Sequence, residues 1–269
     1  ERIYDDFNAM AERESLRKDG IEAVAIVTPN NMHAESAIVF LKKGIHVICE
    51  KPLTATLDQA KNLAKVARET KALFVLTHNY SGYPLIRQAR AMIKAGEIGK
   101  VITVHAEYLV EWLNQAEEKD GLKQAIWRTD PSIAGTGSVG DIGTHAFHLV
   151  RFVTGLKVDE ISAELTTFVP DRKVDDLVIS KLNFSNGAKG ILWASQVAIG
   201  GENALRIRVY GSTGSLEWNQ EEPNYLLFAK QNEAKRIITR MGSGSTESGI
   251  RVSRLPKGHP EGYIEAFAN

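Results

Sequence analysis

The sequence has a single cysteine, Cys49, in 269 residues. That excludes an intramolecular disulfide and suits a reducing compartment. It also lacks an excess of either charge, because 33 Lys and Arg are matched by 33 Asp and Glu. A chain so balanced offers no basic field to nucleic acid. No apolar run approaches the roughly 18 residues of a membrane span, and no secretory leader pattern opens the chain. Internal repeats and heptads are missing too, which excludes solenoids and coiled coils. These absences predict a soluble, cytoplasmic globular protein of one large or two ordinary domains.

What is present begins with strand, helix and strand between Ala23 and Pro52. Residues 23–27 form an apolar run stopped by Thr28-Pro29-Asn30. Residues 33–43 carry Ala34, Ala37, Ile38 and Leu41 at helical spacing, and Gly44 stands where a left-handed cap is wanted. Residues 45–49 form a second buried strand ending in Glu50-Lys51-Pro52. A helix over residues 57–70 and a strand over 73–77 follow, ending in His78-Asn79-Tyr80. Such units are parallel βαβ crossovers, whose ligands bind at the carboxyl ends of the strands. All three polar clusters fall there. Residues 1–18 read as an amphipathic helix. A doubly wound domain that opens on a helix predicts that its first strands lie upstream of Glu1.

Beyond Tyr80 the period changes. A helix over residues 84–95 precedes an alternating strand at 101–110, an irregular stretch at 112–130 and a helix at 142–154. Short alternating runs then cover 161–169, 177–184, 190–197, 204–210 and 215–218, with Asn186-Gly187 as a hairpin turn. Residues 241–249 read as a mobile Gly/Ser loop, and 261–269 as a helix. The predicted fold is α/β: a partial Rossmann dinucleotide-binding domain over residues 1–80, and an α+β domain with an open, mostly antiparallel sheet over 81–269.

Several residues could carry chemistry. Asp141 and His145 are four apart at a helix start, so a carboxylate could orient an imidazole base. Alternatively, Asp141 is only an N-cap. Lys51 before Pro52 is either a solvated strand-end charge or a cation held over the sheet edge. Gly135 to Gly140 matches GxGxxG, but no buried strand precedes it, so it is not a dinucleotide fingerprint. Its missing side chains would instead leave room for a ligand beside Asp141 and His145. His259 is a loop histidine that could reach a cleft. His145 and His148 lack the further ligands a zinc site needs.

TPNNMHAESAIVFLKKGIHVICEKPLT (28–54), HNYSGYPLIRQAR (78–90) and GSVGDIGTHAFHL (137–149) closely resemble the glucose–fructose oxidoreductase/inositol dehydrogenase/MocA (Gfo/Idh/MocA) family, and the resemblance covers essentially the whole chain. It implies NAD or NADP as cofactor, and a sugar, cyclitol or related pyranoside as substrate. By matched position, Lys51 is the EKP lysine, and Asp141 and His145 are the DxGxH pair. Thr28, Pro29, Asn30, His33, Glu50, Lys51, Pro52 and Asn79 would line the cofactor, with Trp127 and Arg128 approaching it. Lys51, Tyr80, Asp141, His145 and His259 would meet substrate. Homodimers or homotetramers through the second sheet are expected. The rival reading is a non-catalytic sugar or nucleotide sensor on the same fold.

Overall fold

The computed structural model describes residues 2–269, which build two β-sheets with separate apolar cores. Asp6 accepts a hydrogen bond from Ala9 N and so starts α1 (Phe7–Ser15). The helix expected over residues 1–18 is therefore shorter at both ends. Arg2 and Tyr4 instead bond the carboxylate of Glu14; Glu1 lies outside the described residues.

β1 (Ala23–Ile26), β2 (His46–Cys49) and β3 (Phe74–Leu76) pair in parallel in that order. Parallel pairing needs crossovers, and α2 (His33–Lys42) and α3 (Leu57–Glu69) supply them. α2 stops at Gly44, whose φ is +80°. A reciprocal capping box of Thr56 and Gln59 begins α3. The core between sheet and helices is Ile26, Phe40, Leu41, Val47 and Leu63.

The chain then runs through α4 (Pro84–Lys94) and β4 (Val101–Leu109) to α5 (Lys123–Arg128) and α6 (Pro131–Ala134). A wide π-helical turn, Val139–Gly143, leads into α7 (Thr144–Thr154). The remaining strands are β5 (Val158–Thr166), β6 (Leu177–Phe184), β7 (Lys189–Ser195), β8 (Ala204–Gly211), β9 (Gly214–Asn219), β10 (Tyr225–Lys230) and β11 (Arg236–Thr239). The short helices α8 (Glu247–Ile250) and α9 (Tyr263–Ala268) end the chain. The sheet order is β11-β10-β9-β8-β4-β7-β6-β5, antiparallel except for the β4–β7 pair. α4 and α7 bury one face with Met92, Leu149 and Val153 against Val104, Ile207 and Trp218. On the other face Ile179, Ile191, Tyr210 and Ile237 remain exposed.

Two expectations are corrected. β10 and β11 extend the sheet where no strand was expected. The segment 241–249, expected to be mobile, is fastened to α4. The buried Gln88 amide donates to Gly244 O at 3.0 Å and accepts from Thr246 Oγ1 at 2.8 Å.

Candidate active site

The carboxyl ends of β1, β2 and β3 meet the π-helical turn of the second domain. Lys51, just past β2, spans that meeting. Its Nζ donates to Asp141 Oδ1 at 2.7 Å and to the Asp141 backbone oxygen at 2.8 Å. An ammonium has three protons, so one remains for another acceptor. On the other side of the carboxylate, Gln196 Nε2 donates to Asp141 Oδ2 at 2.8 Å and Arg128 Nε lies 3.6 Å away. Burial acts against this carboxylate. Lys51 and then Arg128 outweigh it and hold the Asp141 pKa below the usual aspartate value.

Asp141 does not orient His145, contrary to the i,i+4 expectation. Asp141 stands in a π-helical turn, and its oxygens are taken by Lys51 and Gln196, with Arg128 alongside. Two of these neighbours are cations, which bind a carboxylate more strongly than a neutral imidazole does. His145 is held by aromatic packing instead. Tyr80 stands edge-on at 4.8 Å between ring centroids, His78 at 5.8 Å and Tyr108 at 6.0 Å. His145 Nδ1 is buried without a hydrogen-bond partner. Burial, and after it the charge of Lys51, press the His145 pKa well below the ordinary histidine value. The ring is therefore neutral at pH 7 and able to accept a proton.

Around this centre, Tyr80 OH and Tyr108 OH share a 2.6 Å hydrogen bond, and Tyr108 OH donates to Asn203 Oδ1 at 2.6 Å. Sequence reading missed Tyr108, Asn203 and Gln196. Tyr108 lies on the core face of β4 with Val104 and Ala106. A hydroxyl at the end of that apolar stripe was the available signal. Gln196 and Asn203 lie in connections and give none.

The strand-end residues divide into two groups. Thr28, Pro29, Glu50, Lys51 and Pro52 are half-buried. The Thr28 hydroxyl and the Asn79 side-chain nitrogen are buried and unpartnered, as is His78 Nδ1. Polar atoms left unpaired at the carboxyl end of a parallel sheet fit a polar ligand in that crevice. His33 and Asn30 face inward. The fully buried His33 ring bridges Thr28 O and Pro52 O, both at 2.9 Å, and so sits behind the strand ends rather than lining them. Asn30 Nδ2 donates to Ala134 O at 2.9 Å, joining the two domains. The Arg128 guanidinium stacks over Trp127 at 4.0 Å while its Nε faces Asp141.

Two further expectations fail. His259 is exposed in a loop where Arg240 bonds its backbone oxygen, and it lines a separate cavity with Asn224 and Tyr225. The glycines of 135–140 make room for protein, not for a ligand. A side chain at Gly137 would meet Asp175 O at 1.9 Å, and one at Gly135 would meet Ala55 O at 2.4 Å. Beside α7 lies a cavity of about 650 Å³ lined by His78, His148, Phe147 and Arg151 among apolar residues. Among the described residues no group of His, Cys, Asp or Glu is arranged to hold a metal. No helix there is long and apolar enough to cross a membrane.

Comparison with known proteins agrees with this architecture. Residues 2–78 match the profile of an oxidoreductase family with an NAD-binding Rossmann fold, and residues 86–217 match the GFO/IDH/MocA C-terminal domain. An oxidoreductase structure from Sinorhizobium meliloti is 52% identical, with a TM-score of 0.90 over 99% of this chain and 71% of that one. An inositol dehydrogenase homolog from Azotobacter vinelandii, complexed with NAD⁺, is 35% identical, with a TM-score of 0.94 over 98% of this chain and 69% of that one. Levoglucosan dehydrogenase of Pseudarthrobacter phenanthrenivorans is 31% identical over 246 residues, or 82% of this chain and 62% of that protein. With its Rossmann strands, its open sheet and both family profiles, the chain belongs to the Gfo/Idh/MocA family of oxidoreductases.

Proposed function

We propose that this chain belongs to an NAD(P)-dependent dehydrogenase acting on a hydroxyl or keto carbon of a sugar, cyclitol or related pyranoside. The observation that carries the reading is the Lys51–Asp141 ion pair, placed beside a neutral His145 at the carboxyl ends of a parallel sheet. Residues 2–80 hold the dinucleotide and the remainder forms the substrate wall. Thr28, Pro29, Glu50, Lys51, Pro52 and Asn79 face the crevice, and Trp127 and Arg128 close its side. Bound there, NAD(P) supplies the hydride acceptor or donor.

The chain's own groups manage the proton and the charge. His145 takes the hydroxyl proton in the oxidative direction. The third N–H of Lys51 bonds the substrate oxygen as it gains double-bond character. Asp141 keeps the ammonium pointed at that oxygen and balances its charge. Tyr80, Tyr108 and Asn203 offer hydroxyl and amide groups to the rest of a polyol.

Absorbance at 340 nm, followed with NAD⁺ or NADP⁺ and a panel of sugars and cyclitols, tests this directly. Substrate-dependent growth of the signal is expected, and His145→Ala should lower turnover by ~10²–10⁴ without weakening cofactor binding. Wild-type turnover in that variant would remove His145 from the mechanism. No signal with any pair would leave a sensor on the same fold.

The exposed face of the larger sheet is the contact we propose for a homodimer or homotetramer. Ile179, Ile191, Tyr210 and Ile237 lie on that face, interspersed with charged residues such as Lys181, Arg208 and Glu217. A broad open sheet face that mixes apolar and charged side chains is the surface a second copy would cover. The single, buried cysteine suits a cytoplasmic location.

A further inference from the structure

The stretch Gly135 to Gly140 has the glycine spacing of a phosphate-binding loop yet binds an anion supplied by the chain itself. Asp175 sends its carboxylate into the loop. Oδ1 accepts from Gly137 N at 2.8 Å, and Oδ2 accepts from Ser138 Oγ and Val139 N, both at 2.7 Å. The Asp175 backbone oxygen accepts from Ser138 N at 2.8 Å. Successive N–H groups converging on one anion form a nest. Asp175 makes no ion pair among the described residues and is 8% exposed, so these donors are what keep its charge tolerable.

The filled nest sits one turn from the candidate chemistry. Asp141 N donates to Gly137 O at 3.0 Å; the Asp175 backbone oxygen holds that same peptide at Ser138 N, and the carboxylate fixes the peptides on either side of it through Gly137 N and Val139 N. On the other side the same stretch touches the first domain, through Asn30 to Ala134 O and the close approach of Gly135 to Ala55. We infer that Asp175 is a positioning residue: an internal anion that locks the 135–140 loop so that Asp141 meets Lys51 across the domain junction. The inference rests on the proposed role of the Lys51–Asp141 pair and adds a residue that touches neither substrate nor cofactor.

The test uses the full chain with Asp175→Ala and Asp175→Asn. Misplacing a reacting group by about an ångström costs roughly 10²-fold in rate, so kcat of Asp175→Ala should fall on that scale, with KM for the dinucleotide within about twofold. Formate, a carboxylate small enough for the emptied nest, should restore turnover saturably and raise the Tm of Asp175→Ala. It should do neither in the wild type, nor in Asp175→Asn, whose amide occupies the nest but sets an NH2 donor against one of its N–H groups and so excludes formate without restoring the lock. Turnover of Asp175→Ala near wild type would overturn the inference, as would a formate series that moves neither rate nor Tm. If Asp175→Ala does not fold, Asp175→Asn decides: wild-type kcat in it overturns the inference, and a loss of comparable size supports it. The Tm series needs no turnover, so failure of the nest and failure of the dehydrogenase reading are told apart.

Discussion

A histidine without a hydrogen bond on its buried nitrogen is an unusual candidate for the base proposed above, and its surroundings account for its neutral state. His145 is 7% exposed and lies near a cation, so its charged form is penalised twice. Its folded pKa is thereby lowered, and the neutral form persists as pH falls through the ordinary histidine range. The oxidative kcat should accordingly stay level from pH 8 to below about 6.5 and fall only in more acid solution. A pH–rate profile with a single-proton limb at or above that value, lost in His145→Ala, would contradict the assignment. The residue scale also shows what could be read in advance. Lys51, Asp141 and His145 announce themselves by type and spacing, whereas the partner of each does not. Spacing suggested an Asp–His pair. The competition for the carboxylate was won by Lys51, 90 residues away, which no local pattern encodes.

Among the elements, legibility followed periodicity. α2, α3, α4 and β4 through β9 were anticipated because their apolar residues recur at 3.6 or 2 positions over enough length. β10 and β11 escaped because they are short, lie at the end of the sheet and are separated by charged residues 230–236. The parallel β4–β7 pair was beyond reach, since register between strands about 80 residues apart depends on the whole sheet. Composition misled at 241–249. Glycine and serine there are compatible with order once Gln88 supplies both an acceptor and a donor. Replacing Gln88 by Leu leaves Gly244 O, Thr246 N and the Thr246 hydroxyl without that partner, so a loss of roughly 1–3 kcal/mol is expected. Urea denaturation would measure it, and limited proteolysis should find a new cut within 241–249. A variant as stable and as resistant as wild type would show that the loop is held by other contacts.

For the whole molecule, the two sheets differ in what they leave uncovered. The larger one exposes Ile179, Ile191, Tyr210 and Ile237 among charged residues on the side away from α4 and α7. If copies associate there, Ile191→Asp should lower the mass seen by light scattering to that of the monomer while leaving the far-UV spectrum intact. An unchanged mass would place the contact elsewhere. Fold class was readable at this scale because a switch from βαβ units to alternating strands is a coarse signal that survives errors at individual boundaries.

The junction between the sheets also bears on how such proteins diversify. Lys51 belongs to one sheet and Asp141 approaches from the other, and contacts across the junction align them: Asn30 with Ala134, Ala55 with Gly135, His78 with His145 and His148, and the ion pair itself. A recombination event joining two relatives near residue 80 would therefore inherit a whole site wherever those contacts are preserved. The larger sheet, the proposed substrate wall, could then be exchanged by descent while the strand ends of the smaller one stayed as they were.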